Sequence, residues 1–155
     1  MSDDLLALLR RVPAPVAVLT VDTGREQLGL TVSSLVSLSL QPPLVGVSIS
    51  RQAAMHELLR EAGAFALSLL AGGQEWVAQH FARGVPPIAM WRGIETEAGE
   101  AGAPLVVGAV GWLECRLASE HAVGDHTFFV AEVESVRLGV AAPPLVHHEG
   151  GYRTL

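Results

Sequence analysis

One segment limits the fold of this chain more than any other: residues 28–40 alternate between two kinds of side chain. Its even positions are leucine, valine or, once, serine, and its odd positions are glycine, serine, threonine or, once, leucine. Successive side chains of a strand point to opposite faces, so the alternation predicts one long strand with an apolar face and a hydroxyl-bearing face. Because proline cannot donate to a ladder, Pro42 and Pro43 end this strand, and residues 44–50 then alternate again as the next one.

The other apolar patterns are short and are separated by glycine, proline or polar residues. Helical spacing predicts three helices, over residues 2–12, 52–62 and 73–83. Ser50 is the expected N-cap of the second helix and Gly63 its C-terminal cap. Residues 84–103 form a predicted loop, and apolar runs predict the remaining strands, over residues 15–21, 65–70, 105–117, 126–138 and 145–149.

These elements predict a mostly β fold. Six or seven strands joined mainly by hairpins, with two short inserted helices, are typical of a small closed β-barrel with helical decorations. A doubly wound sheet is the alternative. It requires a helix after most strands, however, and only two connections have one.

The composition predicts a single domain, residues 1–155, that is short of polar surface. Of its 155 residues, 50% are hydrophobic and 17% are charged, and the mean hydropathy is +0.38. A lone subunit would therefore expose apolar area, and we expect a homodimer. Apolar stretches end before the roughly 18 residues of a membrane span, and the first residues lack a basic signal start. We expect no membrane association and a cytoplasmic location.

Charge and cysteine content exclude several classes of function. The formal net charge is −6 and all 10 Lys or Arg residues are arginine, which argues against nucleic-acid binding. A chain without lysine has neither a Walker A loop nor Schiff-base chemistry. The one cysteine, Cys115, falls on a predicted core face and excludes an internal disulfide and a cysteine metal cluster. The spacing of the histidines fits no metal site, so we expect no metal.

The strongest chemical pattern is a row of hydroxyl side chains that leads into a helix start. Its members are followed at once by Arg51 and are Thr31, Ser33, Ser37, Ser39, Ser48 and Ser50. Unpaired N–H groups at a helix start, hydroxyls and a guanidinium together form a site for one phosphate. The alternative is that the serines are only the solvent face of a strand. Without a nucleophile elbow or an acid–base pair, the pattern favours a phosphate-bearing cofactor that supplies its own chemistry.

Five motifs in fixed order add a resemblance to a known family. They lie at residues 29–45, 50–56, 63–70, 74–82 and, near the end, 124–127 with 144–152. Over roughly residues 12–153 the chain resembles the flavin reductase-like, FMN-binding split-barrel family. One departure matters: Ala53 and Ala54 stand where relatives often have a hydroxyl residue, which removes one donor from the phosphate site.

The resemblance implies a homodimeric split barrel in which NADH or NADPH reduces FMN, or FAD in some members. It also implies a partner, since many relatives are the small reductase component of two-component flavin monooxygenases. His126 would orient the nicotinamide, and Tyr152 is a second candidate for the same wall. The flavin-binding residues implied by position are Thr31, Val32, Ser33, Ser34, Ser48, Ile49, Ser50, Arg51 and Ala54.

Two other functions are compatible with the same barrel. One is a non-catalytic flavin- or haem-binding electron carrier, which would not accept hydride from NADH. The other is a pyridoxamine-phosphate oxidase, but those enzymes hold their phosphate with a cluster of lysine and arginine, and this chain has no lysine.

Overall fold

Short helices and antiparallel strands make up residues 2–155, the part of the chain that the structure, a computed structural model, describes. The helices are α1 (Ser2–Leu9), α2 (Ala54–Ala62) and α3 (Glu75–Ala82), with a 3₁₀ helix at Pro87–Ala89. The first six strands are β1 (Ala14–Pro15), β2 (Ala17–Asp22), β3 (Gln27–Val32), β4 (Val36–Leu40), β5 (Pro43–Ser50) and β6 (Ala64–Leu69). The others are β7 (Thr96–Ala98), β8 (Pro104–Val106), β9 (Gly111–Val123), β10 (His126–Leu138), β11 (Leu145–His148) and β12 (Gly151–Thr154).

The mostly β fold with short inserted helices is confirmed, but the single long strand over residues 28–40 is wrong. Residues 33–35 leave the ladder, so the segment forms β3 and β4. These two strands lie at opposite edges of a seven-stranded sheet with the order β3-β2-β6-β9-β10-β5-β4. The alternation continues through the connecting residues, and for that reason the pattern alone does not show the break.

The position of β3 and β4 explains how the sheet curls. Four steps of chain separate Val32 from Val36, and they span at most about 14 Å when extended. The two edges of the sheet must therefore approach each other although no ladder joins them. The predicted closed barrel is thus wrong in one respect: the sheet is open at this seam, as expected of a split barrel.

Two core clusters occupy the two faces of this sheet. The first contains Leu19, Phe65 and Phe129 of the sheet together with Met55 and Leu59 of α2. The second contains Val18 of β2, Leu70 directly after β6, and Val77, Ala78 and Phe81 of α3. Adjacent residues such as Val18 and Leu19 enter different clusters because strand side chains alternate between faces. Gly63 ends α2 at a φ of 69°, which confirms the predicted C-terminal cap.

The remaining predicted elements need small corrections. The first helix ends at Leu9, and none of its residues is buried. The loop predicted over residues 84–103 contains the 3₁₀ helix and β7, and the strand predicted over 105–117 is divided between β8 and β9. None of the helices within residues 2–155 combines the length and apolar character required to cross a bilayer.

Cys115 and Trp112 both lie on β9 but are buried to different degrees. Cys115 is a core thiol as predicted, and burial raises its pKa to about 12. Trp112, on the same strand, is half-buried. Its Nε1 donates to the Val106 carbonyl at 2.9 Å, and the Arg137 guanidinium lies 4.5 Å from the ring centroid. The indole is thus held by two contacts within this chain.

Candidate functional site

The end of β5 and the start of β10 bring together residues that are far apart in the sequence. In this antiparallel ladder His126 faces Ser50, and Phe128 faces Ser48. The Arg51 N–H donates to the Asp125 carbonyl at 3.0 Å and extends the pairing by one step. The predicted phosphate residues Ser50 and Arg51 thus share one edge with His126, which was assigned only by resemblance.

Residues 33–35 add Ser34 to the same region. Its hydroxyl donates to the Ser48 carbonyl at 3.0 Å and accepts the Ser48 N–H at 2.9 Å. Both bonds go to the backbone, so this side chain attaches the connecting segment to β5 at the open seam of the sheet. Ser33, its neighbour, is exposed. We call Ser33, Ser34, Ser48, Ser50, Arg51, Ala54 and His126 the Ser50 shelf.

The start of α2 supplies the positive side of the Ser50 shelf. Ala53 is the N-cap and makes no side-chain cap, so the predicted capping role of Ser50 is wrong. Ser50 Oγ instead accepts the Gln52 N–H at 3.3 Å, in the turn before the helix. The first turn of a helix leaves N–H groups without intrahelical partners, and its dipole attracts anions. Ala54 is the first helical residue and is exposed at this end.

Arg51 gives the Ser50 shelf a free cation. Its side chain is exposed, and among residues 2–155 it forms no ion pair within 4.0 Å. A guanidinium beside serine hydroxyls and a helix start is a donor set that suits one phosphate. The observed groups therefore fit the phosphate end of a flavin nucleotide, even without a hydroxyl at Ala53 or Ala54.

His126 is held in one orientation by its neighbour. The Asp125 carboxylate accepts a hydrogen bond from Nδ1 at 2.7 Å, and this bond is the main reason why the pKa of Asp125 is lowered. The imidazole side chain is 43% exposed. Because Nδ1 is used, Nε2 is the ring atom that can contact a ligand on the open side.

Four of the predicted site residues use their side chains elsewhere. Thr31 Oγ1 donates to the Ala78 carbonyl of α3 at 2.6 Å. Val32 and Ile49 are core residues, so only their backbone could contact a ligand at the Ser50 shelf. Tyr152 lies in the small sheet β1-β11-β12 and packs against the second core cluster, where burial raises its pKa.

A buried polar pair that was not predicted from the sequence lies next to the Ser50 shelf. His56 of α2 and Thr127 of β10 are 8% and 6% exposed, and His56 Nε2 lies 2.7 Å from Thr127 Oγ1. Helical spacing could have indicated His56, which stands three residues before the core residue Leu59. Nothing in the sequence pattern indicates its partner, since Thr127 is 71 residues away.

A family model described as "Flavin reductase like domain" matches residues 9–155. The chain belongs to this family. The family predicted from the motifs is thereby confirmed, as are flavin and a nicotinamide nucleotide as the reactants of its named relatives.

Sequence relatives describe what similar chains do. The reductase component of 4-hydroxyphenylacetate 3-monooxygenase from Thermus thermophilus is 41% identical over 155 residues, which cover 100% of this chain and 97% of the relative. An NADH-dependent FAD reductase from Streptomyces globisporus is 40% identical over 152 residues, which cover 94% of this chain and 83% of the relative. The predicted flavin reductase function and its enzyme class are therefore confirmed at the level of the family.

Solved structures agree with the fold. The NADH:FAD oxidoreductase of Streptomyces globisporus, in complex with NAD and FAD fragments, superposes with a TM-score of 0.94 at 35% identity, covering 99% of this chain and 92% of that one. The flavin reductase component of a bacterial two-component tryptophan halogenase superposes with a TM-score of 0.93 at 35% identity, covering 100% and 98%. Both are flavin reductases, as expected of the predicted fold class.

Proposed function

We propose that this chain binds FMN, or FAD, at the Ser50 shelf and reduces it with NADH. The observation that carries this proposal is the β5–β10 register, which sets His126 opposite Ser50 at the start of α2. When bound, the flavin accepts a hydride directly from the nicotinamide, so no protein nucleophile is required. The task of the side chains is to bind and orient the two nucleotides.

Arg51, Ser50 and the first N–H groups of α2 hold the flavin phosphate in this proposal. Arg51 supplies the charge, and Ser50 supplies a hydroxyl at the end of its strand. Ala54 contributes its backbone N–H. Ser34 and Ser48 form the wall next to them, because the two hydrogen bonds between them fix the connecting segment on β5.

His126 serves the nicotinamide side. Its Nδ1 is bonded to Asp125, which leaves Nε2 to donate to, or accept from, a carboxamide or phosphate oxygen. Hydride transfer removes no proton from the donor carbon, so His126 acts as an orienting group and not as a general base. Tyr152 and Thr31 belong to the α3 side of the molecule, and their contact with a nucleotide stays a prediction.

We also propose a homodimer of this chain, residues 1–155, as one domain. The edge strand β4 exposes Val36, Leu38 and Leu40, of which Leu40 is 85% accessible. An apolar strand at a sheet edge is stable in solution when another surface covers it. Sedimentation at micromolar concentration is expected to give a dimer, and a monomer that stays soluble at high concentration would contradict this part of the proposal.

A flavin-dependent monooxygenase is the expected consumer of the reduced flavin. The Thermus relative is the reductase component of a two-component monooxygenase, and the halogenase reductase is likewise one component of a pair. Because the proposed reaction draws on NADH, we place the protein in the cytoplasm.

Steady-state turnover tests the proposed function. Purified protein is mixed with FMN in excess and with NADH, and the absorbance of NADH at its long-wavelength band is followed. We expect repeated turnover, with many NADH molecules oxidised per subunit. A protein that binds flavin but oxidises no NADH would instead be the electron carrier considered above.

A further inference from the structure

Helix α2 and the turn before it are attached to one hairpin at three points. We call residues 120–129 the His126 hairpin; it contains the end of β9, the Gly124-Asp125 turn and the start of β10. The Arg51 N–H donates to the Asp125 carbonyl at 3.0 Å, His56 bonds to Thr127, and Arg60 Nε donates to the Glu120 carboxylate at 3.1 Å. Of these three contacts, the one between His56 and Thr127 joins two buried side chains.

The chemistry of His56 fixes the direction of its hydrogen bonds. Nδ1 lies 2.8 Å from the Glu57 carboxylate, which can only accept, so Nδ1 carries a proton. In the neutral ring Nε2 is then an acceptor, and the Thr127 hydroxyl donates to it across 2.7 Å. The ring also packs against Phe129, with 5.5 Å between centroids. Each polar atom of the buried pair has one partner, and removing either leaves the other unsatisfied, which is costly.

The location of this pair links two binding regions. Thr127 follows His126 directly and pairs with Ile49 across the ladder. His56 is in the first turn of α2, whose N–H groups and neighbouring Arg51 form the phosphate side of the Ser50 shelf. Besides the backbone contact between Arg51 and Asp125, one buried hydrogen bond therefore links the first turn of the helix to the residue after His126.

We propose that His56 is a positioning residue that, through Thr127, holds the His126 hairpin against the flavin-binding start of α2 and so couples flavin binding to NADH binding. This inference rests on the proposed function, because it assigns the flavin phosphate to α2 and the nicotinamide to His126. The coupling is reciprocal: each nucleotide strengthens binding of the other by the same factor.

Variants of Thr127 test this proposal without deleting a bulky core group. Thr127→Val keeps the size of the side chain but removes the hydroxyl, so His56 Nε2 loses its donor. Thr127→Ser restores the hydroxyl. Thr20→Val is the matched control: Thr20 is also a buried strand residue, and its hydroxyl donates to the Pro104 carbonyl at 2.6 Å, a contact outside the Ser50 shelf.

The first readout is binding. FMN affinity is measured by fluorescence on the flavin-free protein, with and without saturating NAD⁺, which cannot reduce the flavin. We expect NAD⁺ to tighten FMN binding in the unmodified protein. In Thr127→Val the ratio of FMN affinities with and without NAD⁺ should be smaller by about fivefold, which is the scale of one hydrogen bond. Thr127→Ser and Thr20→Val should retain it. In turnover, Thr127→Val should raise the KM for NADH more than it lowers kcat.

The second readout needs no nucleotide. Amide hydrogen exchange in the flavin-free protein should become faster in the His126 hairpin for Thr127→Val and remain unchanged there for Thr20→Val. Equal exchange and equal coupling in the two variants would overturn the proposal, as would an unmodified protein that binds both nucleotides without coupling. If the unmodified protein binds FMN but oxidises no NADH, the proposed function fails, and the exchange data still decide whether His56 and Thr127 hold the hairpin.

Discussion

Helices α2 and α3 each carry a histidine whose ring is hydrogen-bonded, yet the two histidines contact different kinds of partner. His56 on α2 bonds to the side chain of Thr127, which belongs to the hairpin of the Ser50 shelf. His80 on α3 bonds through Nε2 to the backbone carbonyl of Met90, at 2.5 Å, and so fixes the segment after α3. The same residue type thus supports a proposed binding site in one region and the segment after α3 in the other. The two cases differ in the hydrogen-bond partner, which is a side-chain hydroxyl for His56 and a backbone carbonyl for His80.

Arg51→Ala should give the largest effect and tests the α2 region. FMN binding should weaken on the order of tenfold to a hundredfold, because a charge-assisted hydrogen bond contributes roughly 1.5 to 3 kcal/mol. Riboflavin, which lacks the phosphate, should bind nearly as before. Fluorescence titration of both flavins measures the difference, with the exposed Arg11→Ala as control. An equal loss for FMN and riboflavin would place Arg51 away from the phosphate.

His126→Ala should give the next largest effect, and it distinguishes NADH binding from FMN binding within the α2 region. The KM for NADH should rise, or kcat should fall, by about tenfold, since one orienting hydrogen bond is lost. FMN affinity should change little. His121→Ala, an exposed histidine on β9 of the same hairpin, is the matched control in steady-state kinetics. Loss of FMN binding in His126→Ala would instead assign this residue to the flavin.

His80→Ala tests the α3 region and should affect stability alone. Loss of the bond to Met90 and of the edge contact with Phe81 should lower the free energy of unfolding by about 1 kcal/mol, or roughly 2–4 °C in melting temperature. FMN affinity and the KM for NADH should stay unchanged. A raised KM would show that the α3 side contacts the nucleotide, as the prediction for Tyr152 requires.

The smallest effect concerns pH and the pair Asp125–His126. The hydrogen bond from His126 lowers the pKa of Asp125, so the stabilising contribution is complete above the ordinary pKa of 3.8 and is lost as the pH falls through the lowered value. Both side chains are solvent-accessible, and the effect on stability is therefore slight. In His126→Ala an NMR titration should show the Asp125 pKa returning towards 3.8, while that of Asp22, lowered mainly by the Gly24 N–H, stays where it is.

Much of the fold could be predicted because it depends on local pattern. Periodicity located β5, β6 and β10 to within two residues, and Gly63 marked the end of α2. The division of residues 28–40 could not be predicted, because the alternation in the sequence continues unchanged through the link at 33–35, where the chain bends at Ser33. β3 pairs with the preceding strand β2 and β4 with the following strand β5, so the ladder breaks where the segment passes from one hairpin to the other.

The candidate site was predictable only in its phosphate half. Ser50, Arg51 and the start of α2 are neighbours in the sequence, so their order along the chain was enough to predict that they lie together. His126 entered through the family resemblance, and its place opposite Ser50 depends on the β5–β10 register, which no local pattern specifies. His56 was not predicted, because a histidine in an amphipathic helix gives no sign of which partner it will contact.

The short link at residues 33–35 bears on how this chain can be redesigned. It joins the two free edges of the sheet, and Ser34 attaches it to Ser48. Extra residues inserted here would separate the edges and displace the wall of the Ser50 shelf at once. The exposed stretch around the Pro87–Ala89 turn does not join strands of the sheet, since it lies on the surface after α3. Tags, recognition sequences or fused domains therefore belong in that stretch and not at the seam.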